Sequence, residues 1–215
     1  MPAELGAICA DLGLAPTAGQ TRSLLGYLDL LQRWNATYNL TAVRDREAML
    51  IQHLADCLAV VRPLMQVRSS GRLLDVGSGG GLPGVVLAIM LPGFDVSCVD
   101  TVGKKAAFVQ QVAATLGLVN LRGLHARVEA LKESPFDIIT SRAFASLDDF
   151  TRLTQPLLAP AGAWLAMKGK PPEAELSELT TPVEVFHVEQ LTVPGLDAQR
   201  CLIWMRPAGA LRASP

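Results

Sequence analysis

Apolar positions in the first third of the chain recur at helical spacing. Leu24, Leu25, Leu28 and Leu31 fall at i, i+1, i+4 and i+7, and Trp34 extends the stripe. A break is expected over Asn35 to Thr41. Asp45 suits the cap of a further helix, on which Met49, His53, Leu54, Cys57, Leu58 and Val61 share a face, with Pro63 near its end. Residues 1–67 therefore read as helical. From Arg72 the period changes. A short apolar run, Leu73 to Val76, meets Gly77-Ser78-Gly79-Gly80-Gly81, and a helix can start at Pro83, whose ring-fixed φ suits a first helical position. Further strands are predicted at Val96 to Val99 (ending at Asp100), Val119 to Leu124, Phe136 to Thr140, Ala163 to Met167, Val183 to Leu191 and Cys201 to Met205. Between them lie a helix from Lys104 to Leu116, closed by Gly117, and one opened by a capping box of Ser146 with Asp149.

Strands alternating with helices imply a parallel sheet covered on both faces. The last two strands, joined without a helix, imply an antiparallel edge. The fold class is α/β, with a seven-stranded, mostly parallel sheet behind N-terminal helices. At 215 residues the chain accommodates one such domain and a small appendage. The expected division is 1–67 for the helical segment, packed on the core, 68–207 for the sheet domain and 208–215 for a frayed tail.

Half the residues are hydrophobic, mean hydropathy is +0.30 and only 18% are charged, which excludes a disordered chain. The longest apolar stretch, Val85 to Leu91, ends at Pro92, short of the roughly 20 residues a membrane span needs. The N-terminus lacks the basic start and apolar centre of a secretory signal. Cys9, Cys57, Cys98 and Cys201 are widely spaced, without a C-x-x-C, which suggests neither a zinc site nor a disulfide framework. A cytoplasmic protein without a metal or a membrane partner is expected, and nothing demands more than a monomer. Net charge is −1 but unevenly spread: Arg22 to Arg72 holds seven arginines against four acids, and Glu173 to Glu189 holds five glutamates. The basic segment is a candidate for RNA backbone contacts.

Candidate chemistry concentrates in Asp75-Val76-Gly77-Ser78-Gly79-Gly80-Gly81-Leu82-Pro83-Gly84. Glycines after a buried strand let the backbone turn tightly and approach a ligand. A nicotinamide pattern, G-x-G-x-x-G, fails from Gly77 because the sixth position is Leu82, and fits from Gly79 only by starting late and enclosing Pro83. The alternative, D-x-G-x-G-x-G from Asp75, is the loop typical of S-adenosylmethionine enzymes. Asp100, 23 residues after Gly77 at the end of the second strand, can accept ribose hydroxyls or cap a helix.

Together with that loop, Asp100-Thr101-Val102-Gly103-Lys104-Lys105, Arg127-Val128-Glu129 and Ser141-Arg142-Ala143-Phe144-Ala145-Ser146 resemble the bacterial small-subunit ribosomal RNA methyltransferase G family. Trp34-Asn35, Asn39-Leu40-Thr41-Ala42, the pair His53 and Asp56, Met167-Lys168-Gly169 and Leu196-Asp197 extend the resemblance over about residues 20 to 206. It implies a Rossmann-like class I methyltransferase. The reaction would be N7 methylation of one guanine in the 530 loop of 16S rRNA, with S-adenosylmethionine as donor and small-subunit rRNA or a ribosomal particle as partner. By the family pattern Gly77, Leu82 and Arg142 belong to the donor site, and Val128 and Glu129 meet its adenine end; Gly79 of the loop and Asp100 at the strand end are the further cofactor-binding candidates. Cys57 departs from the family's usual serine, and Lys170 stands where glutamine is frequent.

Guanine N7 carries a lone pair and no proton, so no general base is required and alignment of the reactants is the main task. Asn39 and Lys168 are candidates for positioning the acceptor. Arg142 is expected at the carboxyl edge of the sheet, facing a ligand or paired with Asp148 or Asp149. His53 with Asp56 reads as a brace between the helices and the sheet domain, and His125 and His187 as structural. The glycine loop alone also permits a methyltransferase for another RNA or a small molecule, a weakly catalytic ribosome-assembly factor, or a nicotinamide oxidoreductase.

Overall fold

The computed structural model describes residues 1–209 other than 143, 145, 171, 172 and 178, so Ala143, Ala145 and residues 210–215 of the expected tail lie outside the described residues. Two helices open the chain, α1 (Pro2–Asp11) and α2 (Ala18–Tyr38). A capping box starts α2: Gln20 N donates to Thr17 Oγ1, and Thr17 N donates to Gln20 Oε1. The helix runs past the expected break and ends at Asn39, held in the left-handed region at φ 50°. Asn35, expected to begin the break, instead shapes the following loop. Its buried amide donates to Val43 O at 2.8 Å and accepts from Thr41 N at 2.8 Å.

Asp45 caps the next helical run, α3 (Arg46–Val67), by accepting from Ala48 N at 2.8 Å. A π-helical stretch occupies Leu50–Ala55 within it. The run passes Pro63, since a turn at Ala59–Val60 restarts it and places the proline in the first turn of the segment Val61–Val67. By length and composition α3 could cross a membrane, an exception to the expectation from the sequence, but most of its apolar window is buried in the protein. That burial is the signature of a core helix.

The strands are β1 (Gly71–Val76), β2 (Phe94–Asp100), β3 (Leu121–His125), β4 (Phe136–Ser141), β5 (Leu158–Lys168), β6 (Val183–Leu191) and β7 (Arg200–Pro207). Helices α4 (Gly84–Met90) and α5 (Gly103–Leu116) link the first three, α6 (Leu147–Thr154) follows β4 and α7 (Glu173–Ser177) follows β5. The sheet runs β3-β2-β1-β4-β5-β7-β6. All pairs from β3 to β5 are parallel, and β7 is antiparallel to both β5 and β6. The antiparallel strand thus lies one place in from the edge. Burial explains this: Cys201 to Met205 are all buried, whereas β6 has no fully buried residue and takes the edge.

Alternate residues feed two cores. Leu73, Val96, Ile138, Leu165 and Trp204 join the apolar faces of α1 to α5 in one cluster, so the N-terminal helices share their core with the sheet. Leu74, Val99, Ile139, Trp164 and Ile203 face the other way, onto Leu147 and Phe150 of α6. Strand order reverses between β1 and β4, and in such sheets ligands bind beyond the carboxyl ends at that point.

Candidate active site

The glycine loop turns immediately after β1. Gly77, Gly79 and Gly81 adopt φ of 67°, 57° and 82°, values that side chains disfavour. A side chain on Gly84 would meet Cys98 Sγ at 2.4 Å and Asp75 Oδ2 at 2.9 Å, so the start of α4 packs directly on β1 and β2. From the helical layer, Tyr27 Oη donates to Gly80 O at 2.6 Å, which ties α2 to the loop.

Asp100 organises the opposite side. One carboxylate oxygen accepts from Gly79 N at 2.9 Å, the other from Val102 N at 2.9 Å. These bonds clamp the loop to the start of α5. Gly77, Asp100, Val128 and Glu129 line one cavity of about 420 Å³ together with Val99, Phe144 and Leu153. That volume lies in the range of small-molecule sites. Beyond Gly77, no atom lies within 4 Å of where a side chain would point. Gly79 does not line the cavity but is bonded to Asp100, which does. Leu82 does not line it: its N–H closes a turn on Ser78 O at 2.9 Å, and its side chain, 4% exposed, enters the core.

A second cleft of about 400 Å³ opens beside the first, lined by Gln52, His53, Asp56, Arg142, Lys168 and Arg200 among others. Arg142 lies here and not in the first cavity. It pairs neither with Asp148 nor with Asp149 but with Asp56, whose carboxylate accepts from Arg142 Nη1 at 3.2 Å and from Arg200 Nε at 2.8 Å. The expected His53–Asp56 pair gives way accordingly. His53 Nε2 meets Thr41 Oγ1 at 2.7 Å, and burial followed by the charge of Arg142 lowers its pKa and keeps it neutral. His125 contacts Thr101 O at 3.1 Å, and His187 lies 3.9 Å from Glu189. Burial, opposed by Arg142, pushes the Cys57 thiol well above its ordinary range.

Lys168 lines the second cleft and pairs with Glu175 at 2.8 Å. Asn39 lines neither site, because its role as left-handed cap turns it outward to accept from Arg44 Nη2 at 2.8 Å. The basic segment is also dispersed. Arg46 pairs with Asp29, Arg68 with Asp137 and Arg72 with Glu133, and the last two stand at the amino end of β1, opposite the cavities. Arg200 escaped the sequence reading. Its one signal is its place before the apolar run Cys201 to Met205, which an antiparallel strand brings to the carboxyl edge beside Lys168.

Asp75 is fully buried between these sites. Burial pushes its carboxyl up to about 7, against the Gly84 N–H and the Arg142 charge, which lower it, while Asp100 raises it. Its Oδ1 has no partner among the described residues. A carboxyl raised in the folded state binds its proton more tightly there than in the unfolded chain. Stability from this group is therefore greatest at low pH and falls as pH rises towards and through 7. We expect stability to drop by about 1 kcal/mol between pH 6 and 8 from this group, and Asp75→Asn, which keeps an acceptor for Gly84, to flatten that part of the profile. Thermal melts of both proteins across that range check it.

A sequence model of the rRNA small subunit methyltransferase G family (GidB) matches residues 20–203. A protein of Leptothrix cholodnii bearing the name ribosomal RNA small subunit methyltransferase G is 59% identical, over 91% of each chain. One from an Acidovorax species with the same name is also 59% identical, over 91% of each. Among solved structures, the Burkholderia thailandensis 1,6-didemethyltoxoflavin-N1-methyltransferase with bound S-adenosylhomocysteine superposes with a TM-score of 0.60 at 17% identity, covering 90% of this chain and 92% of that one.

Proposed function

The chain belongs to the rRNA small subunit methyltransferase G family, and on that premise we propose that it methylates N7 of a guanine in the 530 loop of small-subunit rRNA, with S-adenosylmethionine as donor. The observation that carries the reading is the gathering of Gly77, Asp100, Val128 and Glu129 in one cavity at the switch point of the sheet. The cavity suits a nucleoside. Each Asp100 oxygen receives one N–H and keeps acceptor capacity for a ribose hydroxyl. Gly77 leaves room for close backbone approach, Val128 and Glu129 would bound the adenine end, and Val99, Phe144 and Leu153 offer apolar contact.

When bound, the donor supplies a methyl group on a sulfonium. The chain's task is then placement. Arg142, Lys168 and Arg200 stand at the adjoining cleft, where cations suit an RNA acceptor. The acceptor nitrogen is unprotonated, so no proton must leave before attack, and alignment supplies the rate. A cytoplasmic monomer acting on RNA or on a ribosomal particle fits this chemistry. Labelled S-adenosylmethionine and small-subunit particles lacking the modification provide the test. Label mapped to guanine N7 in the 530 loop is expected; label on another base or none at all, with donor bound, overturns the acceptor assignment.

A further inference from the structure

Three cations share the second cleft, Arg142, Lys168 and Arg200, and acids of the same chain hold all of them. Asp56 takes the two arginines. Glu175 takes Lys168: its two oxygens accept from Lys168 Nζ at 2.8 and 3.0 Å, and Oε2 also accepts from Leu147 N at 3.0 Å. Leu147 opens α6, where the first backbone amides have no partner within the helix. The Glu175 carboxylate thus rests on an ammonium and a helix-start amide, a donor set that suits a phosphate oxygen equally well.

The two acids differ in how readily they can leave. Asp56 is 2% exposed within a continuous helical run, and its release would strand two guanidinium groups. Glu175 is 30% exposed on the five-residue α7. With Lys168 at 16% and Glu175 at 30% exposure, this pair is more open to water than the Asp56 pairs, so a polyanion displaces it at lower cost than it would displace Asp56. With both acids in place the cleft offers a net charge of +1; without Glu175 it offers +2.

We propose that Glu175 occupies, within the chain, the site of an RNA phosphodiester, and that α7 is a strap which RNA displaces from Lys168. This rests on the RNA-directed reading above. The strap has a fixed end. Asp148 Oδ1 accepts from the backbone and hydroxyl of both Thr180 and Thr181 at 2.8 to 3.0 Å. Those bonds, the Thr181 and Thr180 amides first, hold its carboxyl down at about 2, so it stays ionised as an acceptor, and the four bonds give the strap a pivot about which Glu175 can swing away.

The experiment is the affinity of Glu175→Gln for a synthetic hairpin RNA of the acceptor loop, by fluorescence anisotropy across a salt series. Roughly fivefold tighter binding at 0.1 M salt is expected, with the slope of log affinity against log salt steeper by about 0.7 to 0.9. Adding Lys168→Met should cancel the gain. Unchanged or weaker binding by a variant that melts like the wild type overturns the proposal. Hydrogen exchange on the wild type tests it without any substitution: saturating RNA should speed amide exchange in α7, and equal or slower exchange overturns it. Methylation of small-subunit particles by the wild type checks the acceptor reading independently, so an enzyme that methylates them with no gain in E175Q loses the strap alone.

Discussion

Asp56→Ala is expected to destabilise the fold by about 3 kcal/mol, the lower end of the range for breaking a buried ion pair, because both arginine partners keep some access to water. The carboxylate joins α3 to the end of β4, 86 residues on, and to the start of β7, 144 residues on. Its removal leaves two guanidinium groups side by side in the cleft without their shared carboxylate. For a domain of this size the melting temperature should fall by roughly 6–12 °C. The effect reaches the cleft as well, since Arg142 and Arg200 then repel with no anion between them. Asp56→Asn keeps one acceptor and should recover part of the loss. A melt within 2 °C of the wild type, taking that as roughly the shift from 1 kcal/mol, would show that the arginines find other partners and that Asp56 is not the knot of this site.

Such a knot was the least legible part of the molecule. Gly77 and Asp100 stood out in the sequence because backbone turns and strand ends are encoded by local motifs, and Val128 and Glu129 followed from the family resemblance. Gly77, Asp100, Val128 and Glu129 line one cavity, whereas Gly79 and Leu82 of the loop do not. The residues around Asp56 are different. His53 and Asp56 are neighbours on a helix, which suggested a local pair, yet the nearer partner of His53 is Thr41 across a loop, and Asp56 is claimed by arginines far along the chain. No periodicity reports a contact at that separation. Glu175 read as one of a run of surface acids until the fold placed it over Lys168. The strands show the same division. Their existence followed from apolar runs, but the order β5-β7-β6 depends on which of two antiparallel neighbours is apolar on both faces. Cys201 to Met205 carries that signal and β6 does not.

Asp100→Ala should abolish useful donor binding, and the size of the loss follows from what the carboxylate holds. Its two oxygens bind Gly79 N and Val102 N, each at 2.9 Å. Truncation leaves both amides without their partner at the floor of the cavity, a cost of about 1–3 kcal/mol for each one kept from water. Towards β2 the loop then keeps the bonds of Gly77 N and Ser78 N to Val99 O, at 2.9 and 3.2 Å, while Gly79 loses the bond that holds its left-handed conformation. On the proposed reading, hydrogen bonds from a ribose to this charged acceptor, worth about 1.5–3 kcal/mol each, are lost at the same time. Losing even one of these, with some loosening of the loop, weakens affinity for S-adenosylmethionine by about a hundredfold or more. Asp100→Asn separates the contributions poorly, because its amide nitrogen would oppose one of the two N–H donors. The sharper comparison is between the donor and free methionine, which lacks the ribose: calorimetry should show a large loss for the former and a much smaller one for the latter. Equal losses for both would mean that Asp100 acts only by shaping the loop, and donor affinity within threefold of the wild type, on a scale where tenfold is 1.4 kcal/mol, would remove it from the nucleoside site.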